Sequence, residues 1–236
     1  MRLNKYLAQG GVASRREADR LIQEATTTVN GILIVDPAFN VEDNDVIIFN
    51  GKRIHFEKKT IVYVMNKPKG YITTARDPQG RKTVTDLFPP KPRLFSIGRL
   101  DRNSTGVLLL TNDGSLAQSL MLPKNRVSRI YEVEIDRALT PQEIKKVRNG
   151  IHIGYNQRGK GKVLGQVTHK KRTVVQLELL QGKNREIRRI MAVLGRNIFS
   201  LHRTCYGSIE LKDLQIGKYR KLTSPEIKQL QKVGFR

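Results

Sequence analysis

A single cysteine, Cys205, excludes an intramolecular disulfide framework and any cysteine-based zinc site. The four histidines, His55, His152, His169 and His202, are scattered and show no H-x-x-x-H spacing, so the usual histidine metal sets are also missing. No apolar run approaches the roughly 20 residues of a membrane span, and runs such as IVYVM at 61–65 and VLLL at 107–110 are strand-sized. The opening MRLNKYLAQGG lacks the apolar centre of a secretory signal, so the expectation is a cytoplasmic protein that does not engage a membrane. There is no G-x-x-x-x-G-K-[ST], the glycines at 159, 161 and 165 do not form G-x-G-x-x-G, and a G-x-S-x-G elbow is absent. Nucleoside triphosphate, dinucleotide and α/β-hydrolase chemistry all lose support.

Acidic residues are also scarce. The 236 residues carry 44 Lys and Arg against 21 Asp and Glu, a formal charge of +23. The excess is unevenly placed. Residues 1–56 hold seven basic and seven acidic side chains, and the remaining 180 hold 37 and 14. A field of that sign attracts a polyanion, because neutralising phosphates releases counterions without reading sequence. The 38% hydrophobic content is low for an enzyme but enough for a folded core.

Local signals divide the chain. Leu3, Tyr6 and Leu7 share one face of a short helix that ends at Gly10-Gly11. Ser14 and Glu17 form a capping box opening a second helix with Ala18, Leu21 and Ile22 inward, which leaves Arg15 and Arg16 in its first turn. Strand-prone segments follow at 26–35 and 46–49, with turns at Asn30-Gly31 and Asn50-Gly51. Residues 1–56 thus read as a module of two helices and a few strands, 57–60 as a linker, and 61–236 as a second domain. In the second domain, strands are expected at 61–65, 107–110, 131–135, 163–167, 173–180 and 198–201. Helices are expected after Thr140-Pro141, at 184–194 and from Ser224-Pro225. The fold class is α+β with a mixed, mainly antiparallel sheet.

RLNKYLAQGGVASRREADRLI, followed by TVNG and a D-x-V before a strand, resembles the S4-type RNA-binding module. That resemblance makes Arg2, Lys5, Ser14, Arg15, Arg16 and Asn30 candidates for RNA contact. Family members commonly carry glycine and a basic residue where this chain has Ala25 and Thr26.

In GRLDRNSTGVLLLTNDG (98–114), Asp101 lies between Arg99 and Arg102, just ahead of a buried strand. A neighbouring guanidinium keeps a carboxylate ionised, and an ionised carboxylate in a basic groove can act as nucleophile or base. On composition alone, a structural Asp–Arg pair shaping the turn is the favoured reading. The segment resembles the catalytic motif of the pseudouridine synthases, in the ribosomal RsuA/RluB branch. NKPKG (66–70), R-x-YEVEI (129–135), GKNREIRRI (182–190), LHRTCYG (201–207) and GKYRKLTSPE (217–226) follow in the family's order. Departures are Asn103 where an acid is common, the order Ser104-Thr105, and Arg129 for the usual lysine.

The resemblance implies conversion of uridine to pseudouridine in ribosomal RNA, without metal or cofactor, on a nucleotide flipped from its stack. It implies Asp101 as nucleophile, Tyr131 as the aromatic face for the uracil with its hydroxyl near the proton removed late, and Arg188 as the partner of Asp101. Lys67, Arg99, Arg102, Lys183, Arg185 and Arg189 would contact phosphates. Lys67 with Pro68 reads equally well as a strand-end turn. DPQGRKTVTDLFP together with NREIRR stands closer to the large-subunit (23S, RluB-like) than to the small-subunit (16S, RsuA-like) enzymes. The partner is then ribosomal RNA or a ribosome-assembly intermediate, met by a monomer. A non-catalytic RNA-binding or ribosome-assembly protein is the alternative, for which the charge and the first 56 residues would suffice.

Overall fold

The computed structural model describes residues 1–55, 59–75 and 77–234. The chain folds into two compact units. One comprises Met1–Thr60 with Pro89–Leu94, and the other Ile61–Phe88 with the chain from Phe95 onward. Residues 57 and 58 of the expected linker, and residue 56 before it, lie outside the described residues. The segment Pro89–Leu94, expected in the second domain, clusters with the first unit, where Arg93 donates to the Ala13 carbonyl.

The first unit contains α1 (Leu3–Gln9), α2 (Arg15–Gln23), β1 (Thr27–Val29), β2 (Ile32–Leu33), β3 (Ile47–Phe49) and β4 (Lys52–Arg53). Its sheet runs β2-β1-β3-β4, with both two-residue turns at Asn-Gly pairs of positive φ, as right-handed hairpin twist favours. Leu3, Leu7, Ala18, Ile22, Val29, Val41 and Ile47 form its core. Ser14 caps α2 by accepting the Glu17 N–H at 3.2 Å, and Asn4 ties the two helices by donating to Asp19 at 2.6 Å. Ala25, at the position where resembling modules carry glycine, has φ 57, a left-handed conformation that glycine adopts with less strain.

The second unit contains β5 (Val62–Lys67), β6 (Phe95–Ile97), β7 (Thr105–Thr111), α3 (Gly114–Met121), β8 (Arg129–Ile135), α4 (Pro141–Asn149), β9 (Ile151–His152) and β10 (Arg158–Gly159). It continues with β11 (Lys162–His169), β12 (Arg172–Leu179), α5 (Glu186–Val193), β13 (Ile198–Tyr206), β14 (Ile209–Glu210), β15 (Tyr219–Lys221) and α6 (Ser224–Gly234). The main sheet has the order β11-β12-β8-β13-β7-β5-β15. Its neighbours pair antiparallel except at β7 and β13, which run parallel through His202↔Thr105 and Arg203↔Gly106. One core cluster joins Val62, Val64, Val107 and Leu109 to Leu116 and Leu120 of α3, and to Leu230 of α6.

Several boundaries differ from the sequence expectation for local reasons. α6 begins at Ser224 as expected, and the residue before it supplies the cap: Thr223 N–H donates to the Glu226 carboxylate at 2.8 Å and its Oγ1 accepts the Glu226 N–H at 3.5 Å. α5 starts at Glu186 because Arg185, its N-cap, is left-handed at φ 49. β13 continues five residues past Leu201, since Arg203 interrupts the apolar alternation without interrupting the strand. α3 was not anticipated, although Asp113 caps it by accepting the Ser115 and Leu116 N–H groups, and Leu116 and Leu120 have helical spacing.

Candidate active site

Asp101 sits in a loop between β6 and β7, at the edge of a cleft of about 770 Å³ formed within the second unit. Lys67, at the end of β5, anchors that loop from beneath. It is fully buried, and its Nζ donates to the carbonyls of Pro68 (2.9 Å), Ser104 (3.0 Å) and Arg102 (3.3 Å). Gly70 N–H also donates to the Arg102 carbonyl, at 2.9 Å. Lys67 is therefore not a phosphate contact: a side chain with no exposed surface cannot reach one, and the strand-end alternative is the better description.

Two arginines from the start of α5 meet the Asp101 carboxylate. Arg188 Nε donates to Oδ2 at 3.2 Å and Arg185 Nη1 to the same oxygen at 3.4 Å, while Arg188 Nη2 reaches Ser104 Oγ at 3.4 Å. The Asp101 side chain is 32% exposed, so these ion pairs are solvent-screened and add little to stability. What they provide is aim, with one oxygen held by two donors. The flanking Arg99 and Arg102 are exposed, and Arg102 Nε donates to the Gly70 carbonyl at 3.3 Å. The carboxylate's partners come from α5, not from its sequence neighbours.

Tyr131 projects from β8 into the same cleft, buried, with Arg203 Nη1 donating to its hydroxyl at 3.4 Å. Asp101, Tyr131 and Arg188 are thus brought together. Lys183, Arg185, Arg99 and Arg102 also line the cleft. Lys183 Nζ donates to the Arg158 carbonyl. Arg189 is a correction, because its guanidinium is occupied by the 153–157 loop. Nε donates to the Ile153 carbonyl at 2.8 Å, Nη2 to that of Gly154 at 2.8 Å, and Nη1 to Gln157 Oε1 at 2.9 Å. Asn30 is another, since its side chain donates to Asp45 and accepts from Val46 N–H, both at 2.9 Å, and so braces a turn. Arg2, Ser14, Arg15 and Arg16 are exposed and Lys5 is partly exposed.

Sequence reading missed Arg203, Glu186 and the role of Lys67. Glu186, buried, accepts from Lys183 N–H (3.0 Å), Lys160 N–H (3.2 Å) and Gln181 Nε2 (2.9 Å), which fixes the turn that presents Arg185 and Arg188. An acid at the first position of a basic helix was the available signal.

Three comparisons bear on identity. The family model described as RNA pseudouridylate synthase matches residues 61–193, and the S4 domain model matches residues 1–47. The chain belongs to the RNA pseudouridylate synthase family. It is 37% identical over 98% of its length to a Bacillus subtilis protein named ribosomal large subunit pseudouridine synthase B, covering 95% of that protein. An uncharacterised RNA pseudouridine synthase of Aquifex aeolicus is 32% identical over 100% of this chain and 96% of its own. A crystal structure of a pseudouridylate synthase superposes with a TM-score of 0.69 at 25% identity, covering 98% of this chain and 99% of that one. This member of the family is therefore an RNA pseudouridine synthase with an S4 module at its N-terminus.

The buried Lys67 gives this synthase a testable pH response. Burial pulls its ammonium down to about 8; Asp101 opposes that shift and Arg203 adds to it. The three-carbonyl anchor has its full charge only below that value, so the rate at saturating RNA should fall as the pH rises through about 8. Stability should not fall with it. Above about 8 the unfolded chain still binds the proton that the folded chain has shed, so folding gains as pH rises toward the ordinary lysine range. Rates and melting curves from about pH 7 to about pH 9 would separate the two. Lys67→Met should cost about 10²-fold in rate by loosening the Asp101 loop.

Proposed function

We propose that this enzyme converts one uridine of large-subunit ribosomal RNA to pseudouridine, with Asp101 as nucleophile, Tyr131 as stacking face and proton acceptor, and Arg188 as the group that holds and aims Asp101. The observation that carries this reading is the Asp101 carboxylate held by Arg188 and Arg185 at the edge of a cleft that also contains Tyr131. A flipped uridine fits the cleft's size, and unstacking costs a few kcal/mol that contacts in the pocket return. The large-subunit choice is supported by the likeness to the Bacillus subtilis protein of that name.

The exposed Arg2, Arg15 and Arg16 of the S4 module, with Arg99, Arg102, Lys183 and Arg185 around the cleft, supply the phosphate contacts. The substrate is ribosomal RNA, free or in an assembly intermediate, bound by a monomer in the cytoplasm. No helix among the described residues is long and apolar enough to cross a membrane. The test is pseudouridine mapping of 23S and 16S rRNA from a deletion strain and from that strain restored with the wild-type gene. One 23S position should be lost and regained. Loss confined to 16S would overturn the subunit assignment, and no loss in either would overturn the function.

A further inference from the structure

Arg203 is a guanidinium only 2% exposed, on β13 at the centre of the sheet. Its Nε donates to the Val107 carbonyl at 2.7 Å and its Nη1 to Tyr131 Oη at 3.4 Å, while Nη2 is buried without a hydrogen-bond partner. No carboxylate among the described residues pairs with it. What faces it are two rings, Tyr131 with its centre 5.9 Å from the guanidinium carbon and Tyr206 at 5.1 Å. Lys67 adds a second buried cation nearby. Aromatic faces offset only part of the cost of a buried charge, and a methionine at this position would serve the fold at least as well. A charge kept there at such cost has work to do on a neighbouring group that turns negative.

We propose that Arg203 is the positioning residue of Tyr131: it holds the phenol oxygen as an acceptor and offsets the charge of the phenolate that removes the C5 proton of the rejoined uracil. This rests on the pseudouridine synthase reading above. Once C5 has bonded to C1′, C5 also retains its hydrogen. The Tyr131 phenolate takes that proton and becomes the phenol, and the C5–H electron pair becomes the C5=C6 double bond. The displaced C6=N1 pair returns to N1, which takes a proton from water; where Asp101 is instead esterified to C6, the pair leaves on its carboxylate. The phenol returns its proton to water before the next turnover. A planar guanidinium suits the task because one fork fixes itself to a strand carbonyl through Nε and offers Nη1 to the phenol. In a water-excluded site a preplaced donor stabilises developing charge far better than it would in water.

The test compares RNA carrying hydrogen or deuterium at C5 of the target uridine. Arg203→Met should bind RNA as wild type does and turn over at least about tenfold more slowly. Its deuterium effect on kcat should exceed that of wild type, because proton removal has become the slow step. Arg203→Lys, which keeps the charge, should recover part of the rate and lower the isotope effect again. Arg203→Met should melt no lower than wild type; if it does melt lower, Arg203→Lys measured against wild type decides by the same isotope effect. A fast Arg203→Met enzyme, or slow variants with an unchanged isotope effect, would overturn the proposal. A wild-type enzyme that makes no pseudouridine would instead overturn the functional reading.

Discussion

Asp101→Asn should abolish pseudouridine formation, by at least about 10⁴-fold, while leaving the fold intact. The amide matches the carboxylate in size, but its nitrogen and neutral oxygen are poor nucleophiles. The ion pairs lost with it are solvent-screened, since the Asp101 side chain is 32% exposed and that of Arg185 55% exposed, so the melting temperature should move little. RNA affinity should hold or rise, because the substitution removes a negative charge from a cleft lined by Arg99, Arg102, Lys183, Arg185 and Arg188. Single-turnover assays and filter binding on the same transcript separate these effects. Activity within tenfold of wild type would remove Asp101 from the chemistry. Weaker binding at unchanged chemistry would make it an RNA contact.

Gly106→Ala should be the most damaging small substitution in the second unit. Gly106 has φ +106, and a Cβ there would lie 2.2 Å from the Arg203 carbonyl oxygen and 2.6 Å from its backbone nitrogen. No rotamer relieves that clash, because both atoms belong to the neighbouring strand. The contact is the parallel seam of β7 and β13, which has only the register pairs His202↔Thr105 and Arg203↔Gly106. Opening it costs the backbone strain of a positive φ as well as the packing on either side, at least about 3 kcal/mol in all. For a unit of this size, that lowers the melting temperature by roughly 6–12 °C. The rate should fall even below the melting range, since Lys67 bonds the Ser104 carbonyl and Arg203 the Val107 carbonyl on either side of Gly106. Gly165→Ala is the control: a Cβ there meets nothing within 4 Å and the backbone is not left-handed. Equal effects at the two positions would refute the seam argument.

Local physics was readable from the chain because it acts over a few residues. The caps at Ser14 and Thr140, the turns at Asn30-Gly31 and Asn50-Gly51, and the alternation of β8 each depend on neighbours in sequence, and all stand in the structure. The same reach limited the reading at α5, which starts two residues later than expected because Arg185 is left-handed. It also limited the assignment of phosphate contacts. Lys67, Asn30 and Arg189 looked like available polar or basic groups until their acceptors, distant in sequence, were in place.

The sequence by itself determined the excess of positive charge beyond residue 56, the order of motifs that marks the family, and the identity of the carboxylate at their centre. Tertiary structure alone decided which cations serve it. Asp101 has an arginine two residues before it and another directly after, yet it is met by Arg188, 87 residues onward, and by Arg185. The reason is geometric. The sheet sets β7 beside β13, the turn braced by Glu186 aims the first turn of α5 at the cleft, and the buried Lys67 fixes the loop that carries Asp101. Arg203 shows the same division: in the chain it interrupts an apolar strand, and only the fold gives that buried charge a tyrosine to act on.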